Sequence, residues 1–302
     1  MKDEKIAYLG MGIMGAAMAA NLLKGGYKVR VWNRSPRPAL AELATAGATV
    51  IEGSAQDCIA GSQFVFTCLG DERDVESVLS EALSAGAFEA SLQAGIRPIV
   101  VDFSTIGPAA AAKIASRLAA GGVTFLDAPV TGGDIGAKNA TLTIMIGGDG
   151  EAYQQVAPLL ACLGKTLVHC GKSGSGQALK LCNQILCAVN MIAVTETLDY
   201  ARKLGVREEL IVDVLGSGAG GSWALANLGP RILSEDFAPG FSLRNVIKDL
   251  RLVFDNLPQN AAPDCLPGTE LAKELFERVA AQKPANPDSL GTQAMIKAYE
   301  TV

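Results

Sequence analysis

The chain has 302 residues, 49% of them hydrophobic and only 19% charged, with 33 glycines and a formal net charge of −5. That length accommodates two domains of ordinary size, and the composition excludes a disordered or fibrous chain. The negative balance argues against nucleic acid or an anionic membrane as partner, while an anionic small substrate stays compatible, because a pocket's local charge can oppose the net sign.

The N-terminal MKDEKIAYLG runs into a strand-like segment with no signal-peptide h-region. IAYLG (6–10) predicts a strand, followed by a helix from about Ile13 to Lys24 and a second strand in KVRVWN (28–33). FVFTCL (64–69), IVVDFS (99–104), TFLDAP (124–129) and TLTIMIGG (141–148) are further strands, with helical patterns around 36–46, 71–84, 108–120 and 150–162. Such alternation predicts a parallel, doubly wound sheet. Beyond Gly176 the pattern is almost wholly helical, beginning with a long segment to about Leu204 and punctuated by glycines and prolines. The fold class is therefore α/β, with an N-terminal α/β domain over 1–174 and an all-helical C-terminal domain over 175–302. The longest uncharged apolar stretch, Leu181 to Thr195, is shorter than a membrane span of about 20 residues. The seven cysteines lack any C-x-x-C pair and read as reduced residues of a cytoplasmic protein, with no metal site.

Gly10-Met11-Gly12-Ile13-Met14-Gly15 is a G-x-G-x-x-G that follows a strand and opens a helix. Gly10 permits the tight turn, Gly12 lets the backbone approach a pyrophosphate, and Gly15 allows close helix–strand packing, so the domain over 1–174 reads as a Rossmann dinucleotide-binding domain. At the end of the second strand an NAD site usually carries Asp or Glu for the ribose 2′-OH. Here the residues are Asn33, Arg34 and Ser35, with no acid. An arginine beside small polar groups suits a 2′-phosphate, so NADP(H) is favoured over NAD(H).

Lys180 stands at the head of the apolar run LCNQILCAVNMIAVT, with Glu196 the next residue of ordinary charge. Burying an unpaired charge costs several kcal/mol, so something should offset it. Four segments carry a resemblance that answers the point: GMGIMGAAMAANLLKGG (10–26), DAPVTGGDIGAKNATL (127–142), GSGQALKLCNQ (174–184) and IKDLRLVFD (247–255). Together they resemble the β-hydroxyacid dehydrogenase family, which includes 3-hydroxyisobutyrate dehydrogenases, tartronate semialdehyde reductases and glyoxylate/succinic semialdehyde reductases.

The resemblance implies that Lys180 is the catalytic acid/base, protonating the carbonyl oxygen during hydride transfer. The family commonly has Asn four residues after the lysine, whereas Asn183 sits at i+3 and Gln184 at i+4 here, so either amide could orient lysine or substrate. Leu69 and Thr105 match positions beside the cofactor, and Lys248 matches a cofactor contact. Thr131, Gly132 and Gly133 resemble the substrate-carboxylate loop, where Ser is commoner at the first position. Trp223 and Phe241 are candidate walls of the substrate pocket or simple core aromatics, and Asp249 is a candidate substrate or orienting residue. His169, the only histidine, reads as structural.

The expected activity is reduction of a short aldehyde acid (tartronate, methylmalonate or succinic semialdehyde, or glyoxylate) to its hydroxyacid, by a homodimer or homotetramer. A decarboxylating 6-phosphogluconate dehydrogenase would need a longer helical tail. An imine reductase typically replaces the lysine. A non-enzymatic NADP-binding sensor would need no lysine chemistry.

Overall fold

A computed structural model describes residues 2–262, 264–282 and 286–299. The chain divides into two compact units, Met1–Lys180 and Leu181–Val302. This division falls inside the long helix whose start marks the domain boundary expected at 174/175.

In the first unit, runs rich in Val, Ile and Phe form strands buried on both faces, which is why they show little polar alternation. The strands are β1 (Lys2–Leu9), β2 (Tyr27–Trp32), β3 (Thr49–Val50), β4 (Phe64–Thr67), β5 (Ile99–Asp102), β6 (Thr124–Asp127), β7 (Val130–Thr131), β8 (Leu142–Gly147) and β9 (Gly164–Gly171). They form one sheet in the order β3-β2-β1-β4-β5-β6-β8-β7, with β9 beside β8. Tyr8, Phe66 and Val101 pack into one core layer, and Ala7, Val65 and Val100 into the other. Tyr8, Phe66 and Phe103 form an aromatic cluster with centroids 5.5–6.2 Å apart.

Pairing is parallel from β3 through β6 and again between β8 and β9. The expected parallel sheet stops at β6, because β8 runs antiparallel to both β6 and β7. The link from β7 to β8 holds only the six-residue helix Gly133–Lys138. That is too short for the crossover of a dozen or more residues that a parallel return needs. The two-residue strands β3 and β7 carry no apolar pattern, and β9 is mostly exposed or half-buried, so none was among the predicted full strands.

β1 lies between β2 and β4, so the chain leaves the centre of the sheet first in one direction and then in the other. At such a switch point the loops leaving the carboxyl ends of the strands part and open a crevice. The helix predicted from about Ile13 to Lys24 has those bounds.

In the second unit, Ala188, Met191, Val194 and Leu198 recur at helical spacing along the Ser175–Leu204 helix. They pack with Leu243, Val246 and Leu250 of the Leu243–Asp255 helix and with Phe276 and Val279 of the Pro267–Ala281 helix. At 30 residues the first of these helices is long and apolar enough, by length and composition alone, to cross a membrane, a test that core helices of soluble proteins also pass.

The start of that helix is tightly set. A Cβ on Gly176 would lie 2.2 Å from the carbonyl oxygen of Met145 and 2.9 Å from Asp127 Oδ2. Gly176→Ala therefore forces backbone apart and is expected to destabilise the chain by about 2 kcal/mol. Denaturant melts check this; a midpoint equal to that of the wild type would contradict the crowding.

Candidate active site

The turn leaving β1 has the geometry its glycines predict. Gly10 has φ +98°, and a Cβ there would meet the Cys68 carbonyl oxygen at 2.2 Å. A Cβ on Gly15 would lie 2.0 Å from the Gly10 carbonyl oxygen, so helix and turn touch through backbone. Gly12 differs, because nothing lies within 4 Å of its missing side chain. It caps a helix whose start carries no side-chain cap and no acidic residue, leaving the first N–H groups directed outward. Met11 is buried, Met14 half-buried and Ile13 exposed. Open space over Gly12 beside uncapped helical N–H groups fits the pyrophosphate of a dinucleotide.

At the end of β2, Asn33 turns back toward this loop. Its Oδ1 accepts from the Met11 N–H at 2.8 Å and its Nδ2 donates to the Ser35 carbonyl at 2.7 Å. Asn33 thus ties the glycine turn to the strand beside it, a role beyond the cofactor contact expected of it. Arg34 is largely exposed and pairs with Asp74 at 2.8 Å. An exposed ion pair is worth about 0–1 kcal/mol, so a phosphate could displace it readily.

The ends of β4 and β5 form a buried polar network. Asp102, fully buried, accepts through Oδ1 from Thr67 Oγ1 (2.7 Å), Ser104 Oγ (2.6 Å) and the Ser104 N–H (3.1 Å). Ser104 Oγ in turn accepts from the Leu69 N–H at 2.8 Å. Asp102 Oδ2 is buried with no hydrogen-bond partner among the described residues. Burial pushes the Asp102 carboxyl up to about 6 against the opposing hydrogen bonds from Ser104 and Thr67. Leu69 and Thr105, both half-buried, are set on this frame at the crevice edge.

Lys180 is only 8% exposed, in the second turn of the Ser175–Leu204 helix. The first turn is held by Asp127, at the end of β6. Its Oδ1 accepts from the Gly174 N–H at 2.7 Å and its Oδ2 from the Gln177 N–H at 2.9 Å. Burial raises the Asp127 carboxyl above its ordinary range, and these backbone donors oppose the rise. The Gln177 side chain reaches the loop after β5, accepting from the Ile106 and Gly107 N–H groups and donating to the Ser104 carbonyl. Thr131 pairs with Thr143 of β8 at the edge of the sheet, and Gly132 (φ +124°) and Gly133 (φ +64°) open the short helix behind it.

The remaining candidates lie in the second unit. Gln184 is buried and donates to Asp249 Oδ2 at 2.7 Å, while Asn183 donates to Gln184 Oε1 at 2.9 Å. Lys248 Nζ lies 3.0 Å from Asp249 Oδ1, close enough for an ion pair but out of line for a hydrogen bond. Gln184, Asp249 and Lys248 are therefore one linked set. Trp223 is 55% exposed at the start of its helix, whereas Phe241 is half-buried against the helical core. In the first unit His169 lies 2.8 Å from the Gly148 carbonyl and stacks on Tyr153, a structural setting.

Asp102, Ser104, Asp127 and Gln177 escaped the sequence reading. The available signal was an acid directly ending an apolar strand, twice, in DFS and DAP.

Two outcomes follow from these positions. Gly12→Ala should leave the thermal melt of the ligand-free protein nearly unchanged while weakening NAD(P)H binding about tenfold or more, by fluorescence titration. Gly15→Ala should instead lower the melt itself. Asp102 titrates near 6 when folded and near 4 when unfolded, so the unfolded chain binds fewer protons between those values. The stability it contributes is full below about pH 4 and lost as pH rises through about 6. Asp102→Asn should gain on the wild type between pH 4 and 8 by at most about 3 kcal/mol. A pH-independent gap in denaturant melts would contradict this.

Comparison with known proteins agrees with this geometry. Residues 5–171 match the family described as the NAD binding domain of 6-phosphogluconate dehydrogenase. Residues 174–299 match the family described as NAD-binding of NADP-dependent 3-hydroxyisobutyrate dehydrogenase. An uncharacterized oxidoreductase of Synechocystis sp. is 45% identical over 300 residues, covering 99% of each chain. The 2-hydroxy-3-oxopropionate reductase of Escherichia coli is 35% identical, covering 98% of this chain and 97% of its own. The structure of Mycobacterium tuberculosis 3-hydroxyisobutyrate dehydrogenase with L-serine has a TM-score of 0.82 at 32% identity, covering 98% of this chain and 99% of that one. With the glycine turn, the sheet order and matches over both units, the chain belongs to the β-hydroxyacid dehydrogenase family and is an NAD(P)-dependent oxidoreductase acting on CH–OH groups.

Proposed function

We propose that the chain is an NADPH-preferring reductase of a short aldehyde acid, running in reverse as a β-hydroxyacid dehydrogenase, with Lys180 as its acid/base. The observation that carries this reading is the burial of Lys180, at 8% exposure, in the same compact unit as the glycine turn and the Ser104–Gly107 loop. A bound reduced dinucleotide would supply the hydride that the carbonyl carbon accepts. As the C=O bond becomes C–O, the Lys180 ammonium stabilises the oxygen's developing charge and gives it a proton; oxidation returns that proton to the amine. Backbone N–H groups at Gly132 and Gly133, with the Thr131 hydroxyl, would hold the substrate carboxylate.

The preference for NADPH rests on Asn33 and Arg34. Asn33, Arg34 and Ser35 at the end of β2 include no acid to accept from a ribose 2′-OH, and Asn33 is already engaged by the glycine turn. Arg34 is the group free to exchange Asp74 for a 2′-phosphate. Association as a homodimer or homotetramer is supported by exposed Leu186, Tyr200 and Leu204 along the Ser175–Leu204 helix.

Steady-state oxidation of NADPH and NADH against tartronate, methylmalonate and succinic semialdehydes and glyoxylate tests the reading. One acid should turn over with NADPH, and Lys180→Ala should lose about 10²–10⁴-fold in kcat. Equal kcat in Lys180→Ala would remove the lysine from the mechanism. Arg34→Ala should raise the KM for NADPH about tenfold and leave that for NADH unchanged. A parallel rise for both cofactors would argue against 2′-phosphate recognition.

A further inference from the structure

We infer that Gln177 is a positioning residue for Lys180, setting the distance between its ammonium and the loop beside the nicotinamide. This rests on the reading of Lys180 as the acid/base. Gln177 is fully buried, and its side-chain amide makes three hydrogen bonds to one loop. Oε1 accepts from the N–H groups of Ile106 (3.0 Å) and Gly107 (3.1 Å), and Nε2 donates to the Ser104 carbonyl (2.8 Å). Those bonds bracket Thr105, the residue matched to a position beside the cofactor.

The same loop is fastened from below, since Asp102 accepts from both the Ser104 hydroxyl and the Ser104 N–H. On its other side the Gln177 backbone N–H donates to Asp127 at the end of β6. Gln177 therefore couples the ends of β5 and β6 to one turn of helix. Lys180 follows three residues later, on the same helical face and about 4.5 Å further along the axis. A rigid amide at that spacing transmits the position of the loop to the base of the lysine side chain.

The residue type fits this role. A glutamine amide accepts from two backbone N–H groups through its oxygen and donates to a carbonyl from its nitrogen, while remaining uncharged at every pH. Leucine would fill similar volume but leave three buried backbone groups unpaired. Glutamate would keep the acceptor and set a second carboxylate oxygen against the Ser104 carbonyl. A displacement of about 1 Å at reacting groups can cost about 10²-fold in rate, so such a coupling is read in kcat before it is read in binding.

The test is a double-mutant cycle on the full chain with NADPH and the aldehyde acid that turns over fastest. Gln177→Leu should lower kcat about 10²-fold, with the KM for NADPH held within about threefold. Gln177→Leu/Lys180→Ala should be no slower than Lys180→Ala alone, because a misplaced lysine and an absent one forfeit the same interaction. Losses that multiply, or a Gln177→Leu kcat near the wild-type value, would overturn the inference. If Lys180→Ala itself keeps wild-type kcat, the reading of Lys180 fails and the inference falls with it. Should Gln177→Leu not fold, Gln177→Glu takes its place in the cycle. Hydrogen exchange reads the clamp without turnover: the Ile106 and Gly107 amides should exchange faster in the variant while those of β1 and β4 stay protected. Unchanged protection at Ile106 and Gly107 would count against it.

Discussion

A buried carboxylate at the end of β6 sets the start of the helix on which Lys180 stands. Asp127 accepts from the Gly174 and Gln177 N–H groups, at the end where a helix leaves its donors unmatched and its dipole is positive. Taking such a charge out of water costs several kcal/mol. Short charge-assisted hydrogen bonds offset that cost only if the helix begins at one place and in one orientation. The close approach of Gly176 to the Met145 carbonyl imposes the same condition sterically. Electrostatics and packing thus select one register for the helix.

The other ends of the sheet follow a similar logic. Asp102 gathers Thr67 and Ser104, and Ser104 takes the Leu69 N–H, so the loops after β4 and β5 are joined beneath the crevice. Asn33 joins the end of β2 to the glycine turn. In each case a polar side chain that could have faced a ligand is engaged by a neighbouring loop, through its backbone or its hydroxyl groups. The result is a set of loops with fixed N–H groups and few side-chain degrees of freedom, which is what a preorganised site requires.

Much of this was legible before any coordinates. Strand–helix alternation and the G-x-G-x-x-G turn marked β1, β2, β4, β5 and β6, because parallel strands buried on both faces leave continuous apolar runs. The positive φ of Gly10 and the close approach of Gly15 to the Gly10 carbonyl were readable because both depend on backbone geometry within a few residues. The antiparallel turn of β7 and β8 was less so, since it follows from the length of one connection more than from residue type. Which amide does what near Lys180 was not readable either. Asn183 and Gln184 look equivalent in the chain, yet only Gln184 is buried and bonded to Asp249, at a sequence separation of 65 residues.

By itself the amino-acid order determined what is local or periodic: the longer apolar strands and most helices, the glycine turn, the absence of an acid after β2 and a lysine heading an apolar helix. Only the tertiary structure decided which polar groups meet. Asp102 with Thr67, Asp127 with the Gln177 N–H, and Gln177 with the Ser104–Gly107 loop are contacts made by elements that the sheet brings side by side. Separations of up to 73 residues along the chain leave no periodic trace, because a hydrogen bond depends on distance in space and not on spacing in sequence.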